Sequence, residues 1–240
     1  MSRDRALTID RRFNGPPDSA NGGYLSGRLA AALTGGTPGE SPVAVTLRKP
    51  PPLATPMAVA GAGAGLRLEL AGTLIAEAAP AELAGVPVEP VGADEAEAAA
   101  RNYGGLVEHP FPTCFVCGPA RPAHDGLALR PGLLPDRADT TAAAWVPDAS
   151  LAGPNGRIGT EFVWAALDCP GGWTVDLVGR PMVLGRMTAQ VSELPEVGER
   201  CVVMGRLAGR DGRKAFTTTT GYGADGRVLG RADAVWITLA

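Results

Sequence analysis

The stretch "GTEFVWAALDCPGG", residues 159–172, decides how the rest of the chain is read. Thr160 stands where a helix cap belongs, Glu161 suits the positive N-terminal end of the helix dipole, and Pro170-Gly171-Gly172 ends the helix. Downstream, "RMTAQVSEL" (186–194) and the run 199–239 alternate β-branched and polar residues, as strands do. Asp211-Gly212 and Asp225-Gly226 interrupt that run and predict two hairpins. Upstream, "LALRPG" (127–132) and "TTAAAWVPD" (140–148) read as extended segments.

The same order occurs roughly 140 residues earlier. "SANGGYLSGRLAAAL" (19–33) is a helix that Ser19 or Asn21 can cap, with Leu25, Leu29, Ala32 and Leu33 as its apolar stripe and Gly35-Gly36 as its stop. "LTIDRRF" (7–13) precedes it, and "PVAVTLRKP", "MAVAGAG", "LRLELAG" and "TLIAEA" follow as strands between 42 and 78. A β–α–β–β–β unit therefore appears twice, without evident sequence identity, which predicts a duplicated α+β unit. Each unit would leave a sheet edge open, and pairing the two edge to edge removes that liability. The expected boundaries are 1–80 for the first half, 81–108 for a linker in which "ADEAEAAARNY" forms a short helix, and 109–240 for the second half.

Composition narrows the function. Twenty-two basic and 25 acidic residues give a net charge of −3, which argues against nucleic acid or an anionic membrane surface as partner. The start "MSRDRALTIDRRF" has no apolar run behind its charges, and no segment reaches the length of a membrane span, so a cytoplasmic protein is expected. Four cysteines are too few for a disulfide scaffold. The Ala-, Gly-, Pro- and Arg-rich bias is that of a GC-rich bacterial genome.

Two segments carry a resemblance. "SANGGYLSG" (19–27) resembles the His-Gly-Gly entry to the helix of hotdog-fold acyl-CoA thioesterases, with Asn21 in place of the His. "GTEFVWAALDC" (159–169) resembles the helix of the phenylacetic-acid-pathway thioesterases, whose Asp is catalytic. With "HPFPTCFVCGP", the second half also looks like thioesterase-like proteins of actinobacterial type. The resemblance implies a tandem (double) hotdog of class α+β: two antiparallel sheets, each wrapped around one central helix and paired edge to edge. It further implies an acyl thioester hydrolase of the cytoplasm, acting on an acyl-CoA or acyl-carrier-protein thioester without a required cofactor, and a homodimer of such double chains.

Thioester hydrolysis needs a base or nucleophile near the carbonyl carbon and donors for the oxyanion. Asp168, deep in an apolar helix where burial raises a carboxylate pKa, is the candidate for the first. Backbone N–H groups at Asn21, Gly22, Gly23 and Tyr24 are candidates for the second. Helical spacing places Glu161, Trp164 and Asp168 on one face, which adds Glu161 to the catalytic set. The first helix has Ala30 and Ala31 where an acid would stand, and the second has only one glycine at its entry. Gly22-Gly23 of one half and Asp168 of the other would thus make a single composite site. Tyr24, Phe162 and Trp164 are candidates to contact substrate, and Arg48 and Lys49 to meet coenzyme A phosphates. The structural alternatives are that Asn-Gly-Gly is only a helix start, that Asp168 is satisfied by turn amides, and that the aromatic residues are core. Two other functions fit the same features: a non-catalytic acyl or polyketide binder, and a hotdog dehydratase or cyclase, although neither helix carries the His that such dehydratases use.

The loop "HPFPTCFVCGPARPAH" (109–124) holds both histidines and two of the cysteines. His109, Cys114, Cys117 and His124 are a zinc set in kind, and C-x₂-C is a chelating turn, so a structural zinc is a candidate. A redox pair and a packed entry loop with free thiols are the other readings. Cys169 reads as a buried structural thiol, with no base beside it in the sequence.

Overall fold

The computed structural model describes residues 5–39, 41–153 and 156–239. The N-terminal eighty residues contain β1 (Arg5–Leu7), α1 (Gly22–Thr34), β2 (Val43–Leu47), β3 (Met57–Ala62), β4 (Gly65–Leu70) and β5 (Thr73–Pro80). A linker helix α2 (Ala93–Ala99) follows, then β6 (Gly132–Leu133), β7 (Thr140–Trp145), α3 (Thr160–Ala166) and the single turn α4 (Cys169–Gly172). The chain ends in four long strands, β8 (Met182–Val191), β9 (Cys201–Asp211), β10 (Lys214–Tyr222) and β11 (Val228–Thr238).

Two sheets were expected, and the described strands instead form one. Its eleven strands run β1-β3-β4-β5-β2-β8-β11-β10-β9-β7-β6, with antiparallel neighbours throughout. The physical reason is the seam: Val43, Ala44, Val45 and Thr46 of β2 pair with Ala189, Thr188, Met187 and Arg186 of β8, so the edges of the halves become one continuous ladder. Both Asp-Gly turns lie where the sequence puts them, with Gly212 (φ 54°) and Gly226 (φ 83°) in the left-handed region. "LTIDRRF" is extended only at its start; Asp10 then caps a short 3₁₀ turn, Arg11–Phe13.

One continuous core lies on the helix side of the sheet and includes Leu25 and Leu29 of α1, Val163 and Leu167 at α3, and Met187, Val203 and Leu229 of the strands. The helices α1 and α3 pack against each other at Gly27, where a Cβ would stand 2.6 Å from the Glu161 Cα. On the opposite face, α2 and the linker residues Val88 and Val91 cover Ala142, Val202 and Met204. Alternation along β9 thus feeds two different cores, Val203 into one and Val202 and Met204 into the other. No helix among the described residues is long and apolar enough to cross a membrane.

Candidate active site

The site begins where the second helix breaks. A helix continuing through Pro170 would lose that residue's N–H and drive its ring into the Ala166 carbonyl. The chain therefore leaves the helix at Leu167, and Asp168 adopts φ −78°, ψ −75° between α3 and α4. The carbonyls near the break are met from the sheet. Thr219 Oγ1 donates to Leu167 O at 2.8 Å, and Thr141 Oγ1 donates to Pro170 O at 2.7 Å. Three sequence expectations are corrected here. Gly159, not Thr160, occupies the cap position and makes no side-chain cap bond. Pro170-Gly171-Gly172 form the turn α4 rather than ending a single helix. Glu161 does not share a face with Asp168: it stays on α3 and lines a separate hollow beside Arg12 and Phe13, because the break turns Asp168 away.

Asp168 turns toward the start of α1. Asn21 caps that helix, its Oδ1 accepting the Tyr24 N–H at 2.8 Å. Asp168 Oδ2 accepts from the Gly23 N–H at 2.9 Å and from Asn21 Nδ2 at 3.1 Å. So close an approach requires glycine: a Cβ at Gly23 would lie 2.6 Å from Asp168 Cβ and 2.8 Å from the Trp164 carbonyl oxygen. Burial pushes the Asp168 carboxyl up to about 7, opposed by the Gly23 hydrogen bond, reinforced by the neighbouring Cys114 and eased by Asn21. Its Oδ1 is buried without a partner among the described residues. The expected oxyanion donors are largely taken: the amide of Gly23 serves Asp168 and that of Tyr24 serves Asn21. The first amide of the helix, at Gly22, has no such partner among the described residues, and Gly22 lines the cavity.

That cavity, about 520 Å³, lies against Asp168 and is walled mainly by apolar groups, among them Trp173, Leu177, Met182, Leu184 and Trp236. Arg48 and Lys49 stand among its lining residues, Arg48 in an ion pair with Glu77. The three expected substrate-contact aromatics are elsewhere. Tyr24 stacks on Phe13 at 4.0 Å and, with Phe115 and Phe162, forms a buried ring cluster; Trp164 packs against Gly27. Helix-face spacing puts these rings between elements rather than into the opening. Trp173 and Trp236 take the role of aromatic wall instead.

The Cys/His loop borders the same cavity. Its backbone is pinned: Phe115 N–H donates to Asn14 O at 2.7 Å, and Arg121 reaches Asn14, Thr113, Arg12 and Asp125. The four residues of the expected zinc set are not brought together. His124 is exposed, 2.6 Å from Asp148 through Nδ1, and lines a different hollow. In its place stands Cys169, whose Sγ lies within 4.8 Å of those of both Cys114 and Cys117. No signal in the sequence couples Cys169 to a turn more than fifty residues away; only the fold does. His109 Nε2 is 3.3 Å from Cys117 Sγ. Hydrogen bonding from the Cys117 and Cys169 thiols holds the Cys114 thiol down, burial pushes Cys117 up, and hydrogen bonding to Cys114 pushes Cys169 up.

No protein-family model matches the sequence, and comparison with curated proteins gives no match. Solved structures do match over the whole length. A conserved protein of unknown function with a hotdog fold from Alicyclobacillus acidocaldarius is 13% identical, with a TM-score of 0.62 over 100% of this chain and 94% of its own. The tesB protein of Mycobacterium avium subsp. paratuberculosis is 11% identical, with a TM-score of 0.61 over 94% of this chain and 90% of its own. A candidate thioesterase II from Thermobifida fusca YX is 14% identical, with a TM-score of 0.59 over 100% and 94%. The chain therefore has the hotdog fold, and at such identities the likeness defines the fold alone.

Proposed function

We propose that the protein is a thioesterase-like hydrolase with one composite site, in which the start of α1 from the first half and Asp168 from the second act on an acyl-CoA or carrier-protein thioester. The observation that carries this reading is the contact itself: a buried carboxylate held by the Gly23 N–H and Asn21 at the wall of an apolar cavity. Asp168 Oδ1 takes a proton from water as the water oxygen bonds to the thioester carbon. The Gly22 N–H, at the positive end of α1, donates to the oxyanion. Collapse of the tetrahedral intermediate breaks the carbon–sulfur bond, and the proton passes from Asp168 to the leaving thiolate. Lys49 supplies positive charge for a phosphate of the carrier arm.

The tandem reading of the two halves is supported by the opposite location. Ala30, Ala31 and Thr160 line a hollow of only about 30 Å³, with no carboxylate among the described residues that line it.

One observation favours a second reading, a non-catalytic acyl binder: Gly23 and Tyr24 have already committed their amides. A panel of acyl-CoA thioesters, with free thiol and acid quantified, separates the two. Hydrolysis is expected, and Asp168→Asn should lower kcat/KM by about 10²–10⁴ with most of the loss in kcat. Full activity in Asp168→Asn would remove Asp168 from the chemistry, and saturable binding with no turnover would establish the binder.

A further inference from the structure

We propose that Cys114, Cys117 and Cys169 are the thiolate ligands of one zinc-class divalent ion whose fourth position opens into the cavity. The sulfurs meet the geometric requirement. All three lie within 4.8 Å of one another, and Cys114 and Cys169 are 3.9 Å apart. A tetrahedral ion with metal–sulfur bonds of about 2.3 Å sets its sulfurs about 3.8 Å apart. Three thiolates are a soft ligand set, which selects zinc over oxygen-seeking cations.

The surroundings are built for thiolate rather than for packed thiols. The Gly118 N–H closes the C-x₂-C turn on Cys114 O at 2.9 Å, and across the cluster Cys169 Sγ is 3.9 Å from Cys114 Sγ. Asn21 Nδ2 is 3.9 Å from the same sulfur. His109 serves Cys117, and its tautomer is fixed. The Phe111 N–H donates to Nδ1 at 2.8 Å, so in the neutral ring the proton sits on Nε2, which faces Cys117 Sγ at 3.3 Å. Nε2 is then a donor to sulfur, and His109 is a positioning residue rather than a metal ligand.

Three protein ligands leave one coordination position, the arrangement of sites that exchange water or substrate. Cys114, Cys117, Cys169 and Asp168 all line the cavity, and Asp168 Oδ1 is buried without a partner among the described residues, an acceptor available beside that position. Binding releases the thiol protons to solvent as the sulfurs bond to the ion. The assignment is independent of thioester hydrolysis, because metal content is read without a substrate.

The test uses the full chain, purified under reducing conditions, reconstituted with zinc and dialysed against chelator. One zinc per chain is expected in the wild type and in Cys201→Ser, whose cysteine lies away from the cluster on β9. Background zinc is expected in Cys114→Ser and Cys169→Ser. His109→Ala should weaken zinc binding roughly 10–100-fold. Cobalt titration of the wild type covers variants that fail to fold: thiolate-to-cobalt charge-transfer bands of three-sulfur intensity, shifted by added azide, are expected. A wild type that takes up neither metal, or a folded Cys169→Ser that keeps wild-type zinc affinity, overturns the site. Bands indifferent to azide overturn the open position.

Discussion

At the scale of the residue, Gly23 decides whether the two halves can meet. Its amide reaches Asp168 Oδ2 at 2.9 Å because no side chain intervenes. A Cβ there meets the Trp164 carbonyl, which is backbone and cannot swing aside. Gly23→Ala should therefore destabilise the fold by about 1–3 kcal/mol, the usual cost of overpacking, although alanine is the better helix former. Urea denaturation checks this, and a variant as stable as wild type would show that the close approach is not required. Asn21, Gly23 and Asp168 were each legible in sequence as types suited to a helix entry and a buried acid. What was not legible is that Asp168 occupies the very amide expected to serve the oxyanion. The Cys169 partnership was likewise hidden, because adjacency across 55 positions is made by the packing of the loop on α4 and not by spacing.

At the scale of the element, local rules carried far where they acted alone. The Asp-Gly turns and most strands lie where alternation places them, since a hairpin is decided within a few residues. The break at Asp168 was misjudged because apolar spacing in "EFVWAALDC" is continuous, whereas Pro170 acts backward on the preceding turn. The loop after β8 shows a different kind of closure. Arg227 grips Glu199 through both nitrogens, at 2.6 and 2.8 Å, and the amides of Ala224 and Glu196 donate to the same carboxylate. The Arg227 guanidinium, with those amides, holds the Glu199 carboxyl below its ordinary value. Because the folded state binds this proton more weakly than the unfolded state, the stabilisation is complete above the unfolded pKa of about 4.3 and is lost as pH falls through the folded value. Wild type should accordingly exceed Glu199→Gln in urea midpoint at pH 6, with the gap closing below about pH 4. A gap independent of pH would mean that the pair does not act through this ionisation.

At the scale of the whole molecule, edge-to-edge pairing was expected from sequence but the strands that make it, β2 and β8, were not readable, because a repeat reports its units while a seam depends on which edges meet. Val45 of β2 and Met187 of β8 are opposite one another in that seam, and both are fully buried. The core beneath runs without interruption from Leu7 to Trp236. Opening either half would expose the edge strand of the other and the face of α1 or α3 that its partner helix covers. The halves should therefore unfold in one transition rather than two. All four tryptophans, Trp145, Trp164, Trp173 and Trp236, lie in the second half, so their fluorescence follows that half and, through Trp164 against Gly27, its contact with α1. Hydrogen exchange at the amides of β4 and β5 follows the first. The free energy of opening from exchange at those amides should match that from the fluorescence midpoint, and should fall by the same amount when the seam is cut by Val45→Asp. Exchange through a lower-energy opening confined to β3, β4 and β5 would show instead that the first half is an independent unit docked on the second, with the junction at Gly23 and Asp168 made and lost separately from folding.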